Sequence, residues 1–159
     1  MARVMVVDDT LFMRTLIKSI LKSAGHIVVA EARDGEEACH KYMLYKPELV
    51  TMDITMHGMN GLDAVKRITD FDKNAKIIMI SAMSQKNMFI RAVKNGAKHF
   101  IIKPITRDKV VQVINEIMNI KTEIILTTED NSDIRKSIEE MQRTISDIDR
   151  DLQIVEDEK

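Results

Sequence analysis

Asp8-Asp9, Asp53, Ser81 and Lys103 each stand at the end of a short apolar run, and that shared position makes them candidates for chemistry. "VMVV" (4–7) runs into Asp8-Asp9, "ELVTM" (48–52) into Asp53, "KIIMI" (76–80) into Ser81, and "HFII" (99–102) into Lys103-Pro104. Taken singly, each has a plain structural use: an Asp caps a helix, a Ser serves a turn, a Lys sits in water. Brought together on one edge they make a site. Close carboxylates repel, so three of them ask for a hard divalent cation with oxygen ligands, Mg2+ before zinc. A carboxylate beside such a cation can attack a phosphoryl group and become an aspartyl phosphate. Lys103 would then meet a phosphoryl oxygen by charge, and Ser81 another by hydrogen bonding. Phosphoryl transfer needs mainly positioning and charge neutralisation, and these groups supply both.

Such an edge exists only if the runs are strands of one sheet. A further run, "IVVA" (27–30), ends in Glu31-Ala32 and offers nothing that repeats the pattern. Helix-period segments separate the runs. Met13, Leu16, Ile17, Ile20 and Leu21 follow the 3.6 repeat, with Gly25 as a stop. Asp34 is placed to cap "GEEACHKYML", which Pro47 ends. Leu62, Val65 and Ile68 mark a third helix, and Met88 to Val93, closed by Gly96, a fourth. Thr106 caps a fifth, with Val110, Val113, Ile114 and Ile117 on one side. Apolar strands alternating with helices predict an α/β fold: a doubly wound, five-stranded parallel sheet covered on both faces. Ligands of such sheets bind beyond the carboxyl ends of the strands, where the acids stand.

The chain has 159 residues, 45% hydrophobic and 31% charged, enough for one domain and an appendage. No apolar run approaches a membrane span, and "MARVMVVDD" lacks the layout of a signal peptide. Cys39 is the only cysteine, which excludes a disulfide framework and a thiolate zinc cluster. A cytoplasmic location is expected. The net charge of −1 hides a split: residues 1–127 carry 19 basic and 14 acidic side chains, residues 128–159 carry 5 and 11. The expected organisation is a domain over 1–121, a linker or short extra strand over 122–131, and a C-terminal amphipathic helix over 132–157.

"VVDD", "TMDITM", "SAM" and "KP", in that order and spacing, resemble the response-regulator receiver domain over residues 1 to 121. "DDTLFMR" and "TMDITM…SAMSQ" are similar to its chemotaxis branch, the CheY-type regulators. The strand order 2-1-3-4-5, for which those regulators are a standing example, is taken from the resemblance and not from the residues. The resemblance implies that Asp53 is the phosphoacceptor. It makes Asp8 and Asp9 the acid pair that holds Mg2+, with Asp53 and the backbone carbonyl of Thr55 completing the protein's share. Ser81 matches the hydroxyl switch residue, Phe100 the aromatic switch, and Lys103 the family lysine, its bond to Pro104 being cis. Thr55 and Met83 match positions that tune hydrolysis of the phosphoryl group. His57 in "MHGMNG" stands where the family usually has Pro and is expected to be an exposed loop residue. His26, His40 and His99 are scattered and form no metal site.

The implied function is a phosphorylation-controlled binding switch of a two-component system, not an enzyme in the ordinary sense. Its phosphodonor would be a CheA-type sensor histidine kinase and its target a flagellar switch component or other motility protein. A phosphorelay intermediate that passes the group to another histidine protein remains open. A haloacid-dehalogenase-type phosphatase is set aside, because Thr55 stands where that chemistry wants a second Asp. A flavodoxin-like FMN carrier is set aside, because Asp8-Asp9 would repel the cofactor phosphate.

In the tail, Ile134, Ile138, Met141, Ile145, Ile148, Leu152 and Val155 are spaced 4, 3, 4, 3, 4, 3, a heptad seam, while Ile154 widens the apolar face. The tail is too short and too acidic to embrace nucleic acid. A helix of this length is marginal alone in water, so association is expected: a homodimer, antiparallel by its charges, or docking on a receiver near Arg91, Lys94, Lys98 and Arg107. Deleting residues 128–159 separates the two. A fall from dimer to monomer at unchanged partner affinity marks the coiled coil. A monomer throughout with raised partner affinity marks docking, and no change in either measurement removes both.

Overall fold

The computed structural model describes residues 1–82 and 86–118, together with Glu140, Arg143 and Thr144. The chain divides into two units, 1–121 and 122–159. In the second, Glu140, Arg143 and Thr144 are helical, and the Thr144 hydroxyl donates to the Glu140 carbonyl at 2.8 Å. The expected linker, the heptad seam and Met83 lie outside the described residues.

The first unit alternates strand and helix: β1 Arg3–Val7, α1 Leu11–Ser23, β2 Ile27–Ala32, α2 Gly35–Tyr45, β3 Leu49–Met52, α3 Gly61–Phe71, β4 Ile77–Ser81, α4 Lys86–Asn95, β5 His99–Ile102 and α5 Arg107–Ile117. The strands form one sheet in the order β2-β1-β3-β4-β5, every pair parallel. The expected doubly wound fold and strand order are both present. Two boundaries differ from the expected runs in a way that matters. β2 extends to Ala32, which places Glu31 within the strand, and β4 includes Ser81.

The period-two pleat sends alternate residues of each strand into two separate cores. Met5, Val7, Val50, Met52, Ile77, Met79 and Phe100 pack with Ala38, Tyr42, Leu62, Val65, Ile68 and Ala92 of α2, α3 and α4. Val4, Val6, Leu49, Ile78, Ile80 and Ile101 pack with Ile17, Ile20, Leu21, Val110, Val113 and Ile114 of α1 and α5. Both faces of the sheet are therefore dry, which is why the runs are apolar throughout.

The starts of α1, α2, α3 and α5 are each fixed by a side chain that accepts from an otherwise unpaired amide. Asp34 takes Glu37 N–H at 2.8 Å and Asn60 takes Asp63 N–H at 3.0 Å. The Thr10 and Thr106 hydroxyls take Met13 and Lys109 N–H, each at 3.3 Å. Gly25 and Gly96, at φ +83° and +111°, turn the chain after α1 and α4 in the left-handed region. These ends set the lengths of the helices, and the helices return each strand to the same end of the sheet.

One buried group is out of place. Thr51 in β3 is fully buried between Val6 and Ile78, and its hydroxyl has no hydrogen-bond partner among the described residues. A buried hydroxyl left unpaired costs free energy that an isosteric methyl does not. Thr51→Val is expected to stabilise the protein by about 1 kcal/mol in urea unfolding. A destabilised variant would show that the hydroxyl is satisfied in solution.

Candidate functional site

Register delivers the site. Val7 pairs with Met52 across the β1–β3 ladder, so Asp8 and Asp53 leave adjacent strands side by side. Neighbouring strands are about 4.8 Å apart. Asp8, Asp9 and Asp53 each place a carboxylate oxygen within 4.8 Å of the other two. Asp8 and Asp53 are buried, at 1% and 5% exposure, and Asp9 is the more open of the three. On the other side, Ser81 pairs with Ile102, which puts Lys103 next in line at the same edge.

The Lys103 ammonium enters the acid cluster, 2.9 Å from Asp8 Oδ2 and 3.6 Å from Asp53 Oδ2. Its backbone is set by its own N–H donating to the Ser81 carbonyl at 2.9 Å, and Lys103-Pro104 is cis. The other Asp8 oxygen accepts from both the backbone N–H and the hydroxyl of Thr10, at 2.9 and 3.0 Å. Asp8 is thus fixed at both oxygens. The Asp9 carboxylate accepts no hydrogen bond among the described residues, which leaves it open to a ligand.

Burial pushes the Asp53 carboxyl up from 3.8 to about 6; Lys103 opposes this, while Asp8 and Asp9 add to it. The arrangement is a pocket short of positive charge. Three acids with oxygen donors at this spacing suit a divalent cation, and no histidine or thiolate joins the cluster among the described residues.

Ser81 is buried at the end of β4. Phe100 is buried in β5, its ring 5.7 Å from that of Phe89 in α4 and tilted by 58°. Thr55 and His57 are exposed in the loop between β3 and α3. His57 therefore stands clear of the core, as its loop position implied.

A family model for the response regulator receiver domain matches residues 4–115. The chain belongs to the response-regulator receiver family. It is 52% identical to chemotaxis protein CheY of Thermotoga maritima over 115 residues, 72% of this chain and 96% of that one. It is 50% identical to chemotaxis protein CheY of Bacillus subtilis over 117 residues, 74% and 98% of the two chains. Among solved structures, a chain of the CheX-CheY-BeF3-Mg2+ complex from Borrelia burgdorferi matches with a TM-score of 0.71 at 39% identity, covering 73% of this chain and 88% of that one. The receiver is CheY-like, a signalling switch rather than a classical enzyme.

Sequence reading missed residues that support the receiver's site through backbone contact. Gly61 opens α3 with its N–H donating to the Ile54 carbonyl at 2.8 Å, and a Cβ there would lie 1.8 Å from the Asp53 carbonyl oxygen. Gly35 opens α2, donates to the Met59 carbonyl at 2.9 Å, and a Cβ there would meet that oxygen at 2.6 Å. Each follows a capping residue in a helix's first turn, where glycine is a poor helix former. That misfit was the available signal. Glu31 was also passed over, although it pairs with Arg14 and Lys18.

The raised Asp53 carboxyl makes metal-free stability depend on pH. A group whose folded value lies above its unfolded one contributes stability below the unfolded value, and that stability is lost as pH rises through the folded value. The loss falls between pH 3.8 and about 6. Asp53→Asn is therefore expected to be more stable than wild type by roughly 2–3 kcal/mol at pH 7.5 without divalent cations, from a shift of this size. The gap should close towards pH 4. Denaturant melts across that range check it, and a gap independent of pH would remove the electrostatic cause.

Proposed function

We propose that this receiver takes a phosphoryl group on Asp53 from the phosphohistidine of a sensor kinase and thereby changes its affinity for a motility partner. The observation that carries the reading is the buried Asp53 carboxylate held between two acids and the Lys103 ammonium. An Asp53 oxygen attacks phosphorus, the P–N bond of the donor breaks, and the imidazole leaves with the electron pair. Later attack by water on phosphorus releases inorganic phosphate and restores the carboxylate.

Asp8, Asp9, Asp53 and the Thr55 carbonyl would hold Mg2+, which would neutralise charge on the phosphoryl oxygens. The chain's own groups account for the rest. Lys103, bridging Asp8 and Asp53 before the reaction, is placed to turn to a phosphoryl oxygen as negative charge arrives. Asp8, fixed by Thr10 and Lys103, keeps the pocket in shape. Ser81, at the end of the strand next to β3, is the proposed donor to a further phosphoryl oxygen. Phe100 is the proposed reporter, since it sits in β5 beside Met79 and packs on Phe89 of α4. Movement at Ser81 would bias a two-state packing of that ring.

The chemotaxis assignment is supported by similarity to CheY proteins at about half identity along the receiver. It makes a CheA-type kinase the proposed donor and a flagellar switch or related motility protein the proposed target, in the cytoplasm. No helix among the described residues is long and apolar enough to cross a membrane.

Phosphoramidate with Mg2+ is expected to add one phosphoryl group to wild type and none to Asp53→Asn, read by intact mass. Retention of the label at undiminished rate in the variant would place it elsewhere. Ser81→Ala should keep Mg2+ affinity within about twofold while losing the beryllofluoride-induced spectral change around Phe100. A full change in Ser81→Ala removes the coupling route through that hydroxyl.

A further inference from the structure

We infer that Arg14 is a positioning residue for the acid pair, holding the Asp8-Asp9 peptide in the orientation that lets Asp9 serve a cation, with Glu31 as its brace. This rests on the reading of the acid cluster as a Mg2+ site.

Arg14 lies in the first turns of α1, and its backbone N–H donates to the Thr10 carbonyl at 3.2 Å. Its side chain turns back over the strand ends, and a guanidinium nitrogen donates to the Asp8 backbone carbonyl at 2.8 Å. The same guanidinium meets Glu31 of β2, with Nε 3.4 Å from Oε1. The Arg14 side chain is 11% exposed, so these contacts are made largely out of water. Glu31 is held in turn: Lys18 binds its other oxygen at 2.9 Å, and the Lys41 ammonium donates to its backbone carbonyl at 2.6 Å.

The peptide that Arg14 grips is the one joining Asp8 to Asp9. Asp8 is anchored besides, through both carboxylate oxygens and through its N–H, which donates to the Ala32 carbonyl at 3.1 Å. Asp9 has no such anchors among the described residues. The plane of the Asp8-Asp9 peptide therefore sets where the Asp9 carboxylate starts, and the guanidinium fixes that plane. Partners of this kind behind metal-ligating groups influence affinity strongly.

Electrostatics and positioning predict opposite signs, which makes the inference decidable. A guanidinium beside a cation site repels the cation, so on charge alone its removal would tighten binding. If Arg14 acts by orienting the peptide, its removal weakens binding. Mg2+ titration by calorimetry on the full chain is expected to show Arg14→Gln weaker than wild type by roughly tenfold. Arg14→Lys keeps the charge without the planar fork, and a loss of several-fold is expected there too. Lys66→Ala, which removes an exposed cation of α3 paired only with Asp70 among the described residues, is expected to show no loss. Thermal unfolding of the same metal-free samples establishes which variants are folded. Should Arg14→Gln fail to fold, Arg14→Lys decides. Affinity unchanged or tighter in the folded Arg14 variants, with wild type binding Mg2+, overturns the inference and leaves the metal site standing. Wild type that takes up no Mg2+ overturns the metal site and this inference together.

Discussion

The Lys103 ammonium, 2.9 Å from Asp8 and 3.6 Å from Asp53, offsets a repulsion that the fold itself creates. Parallel pairing of β1 with β3 forces two carboxylates to emerge from neighbouring strands, and Asp9 adds a third. Burial is the main reason the Asp53 carboxyl is raised, and the nearby Asp8 and Asp9 push it the same way against Lys103. One ammonium cannot neutralise three acids. Further positive charge at the site is therefore favourable.

Around this cluster the protein spends its rigid elements. Asp8 is held at both oxygens and at its N–H, and Gly61 lets α3 begin against the Asp53 carbonyl with no room for a side chain. Gly35 docks the far part of the same loop onto α2. These contacts are between backbones, so small displacements in the loop are resisted by hydrogen bonds and not only by side-chain packing. The α4 helix is held differently. Ala92 is its one buried residue, against five in α3, although Phe89 meets Phe100 across the core. Fewer fully buried residues therefore tie α4 to the core than tie α3.

Some of this was written in the order of residues. Apolar runs that end in Asp, Asp, Ser and Lys give the strands and their shared edge, because a strand buried on both faces must be apolar until it leaves the sheet. The caps at Asp34 and Thr106 were legible for a similar local reason: a side-chain oxygen meets an amide three residues on. Asn60 was not singled out, though it does the same work before α3. Strand order was not in the residues at all and came from family resemblance, since nothing local tells β1 to lie between β2 and β3.

What only the tertiary structure decided is which distant groups meet at the strand ends. Lys103 lies 95 positions from Asp8 in the chain, and no local pattern sets their 2.9 Å contact. Glu31 looked like an unused strand end until β2 was placed beside β1 and Arg14 folded back between them. The need for glycine at 35 and 61 appears only once the loop after Asp53 lies against their bare α-carbons. By itself the sequence determined the elements and the kinds of groups at their ends, because apolar period and capping act within a few residues. Register, crossover and backbone approach act between segments far apart in the chain, and they turned those groups into one charged pocket.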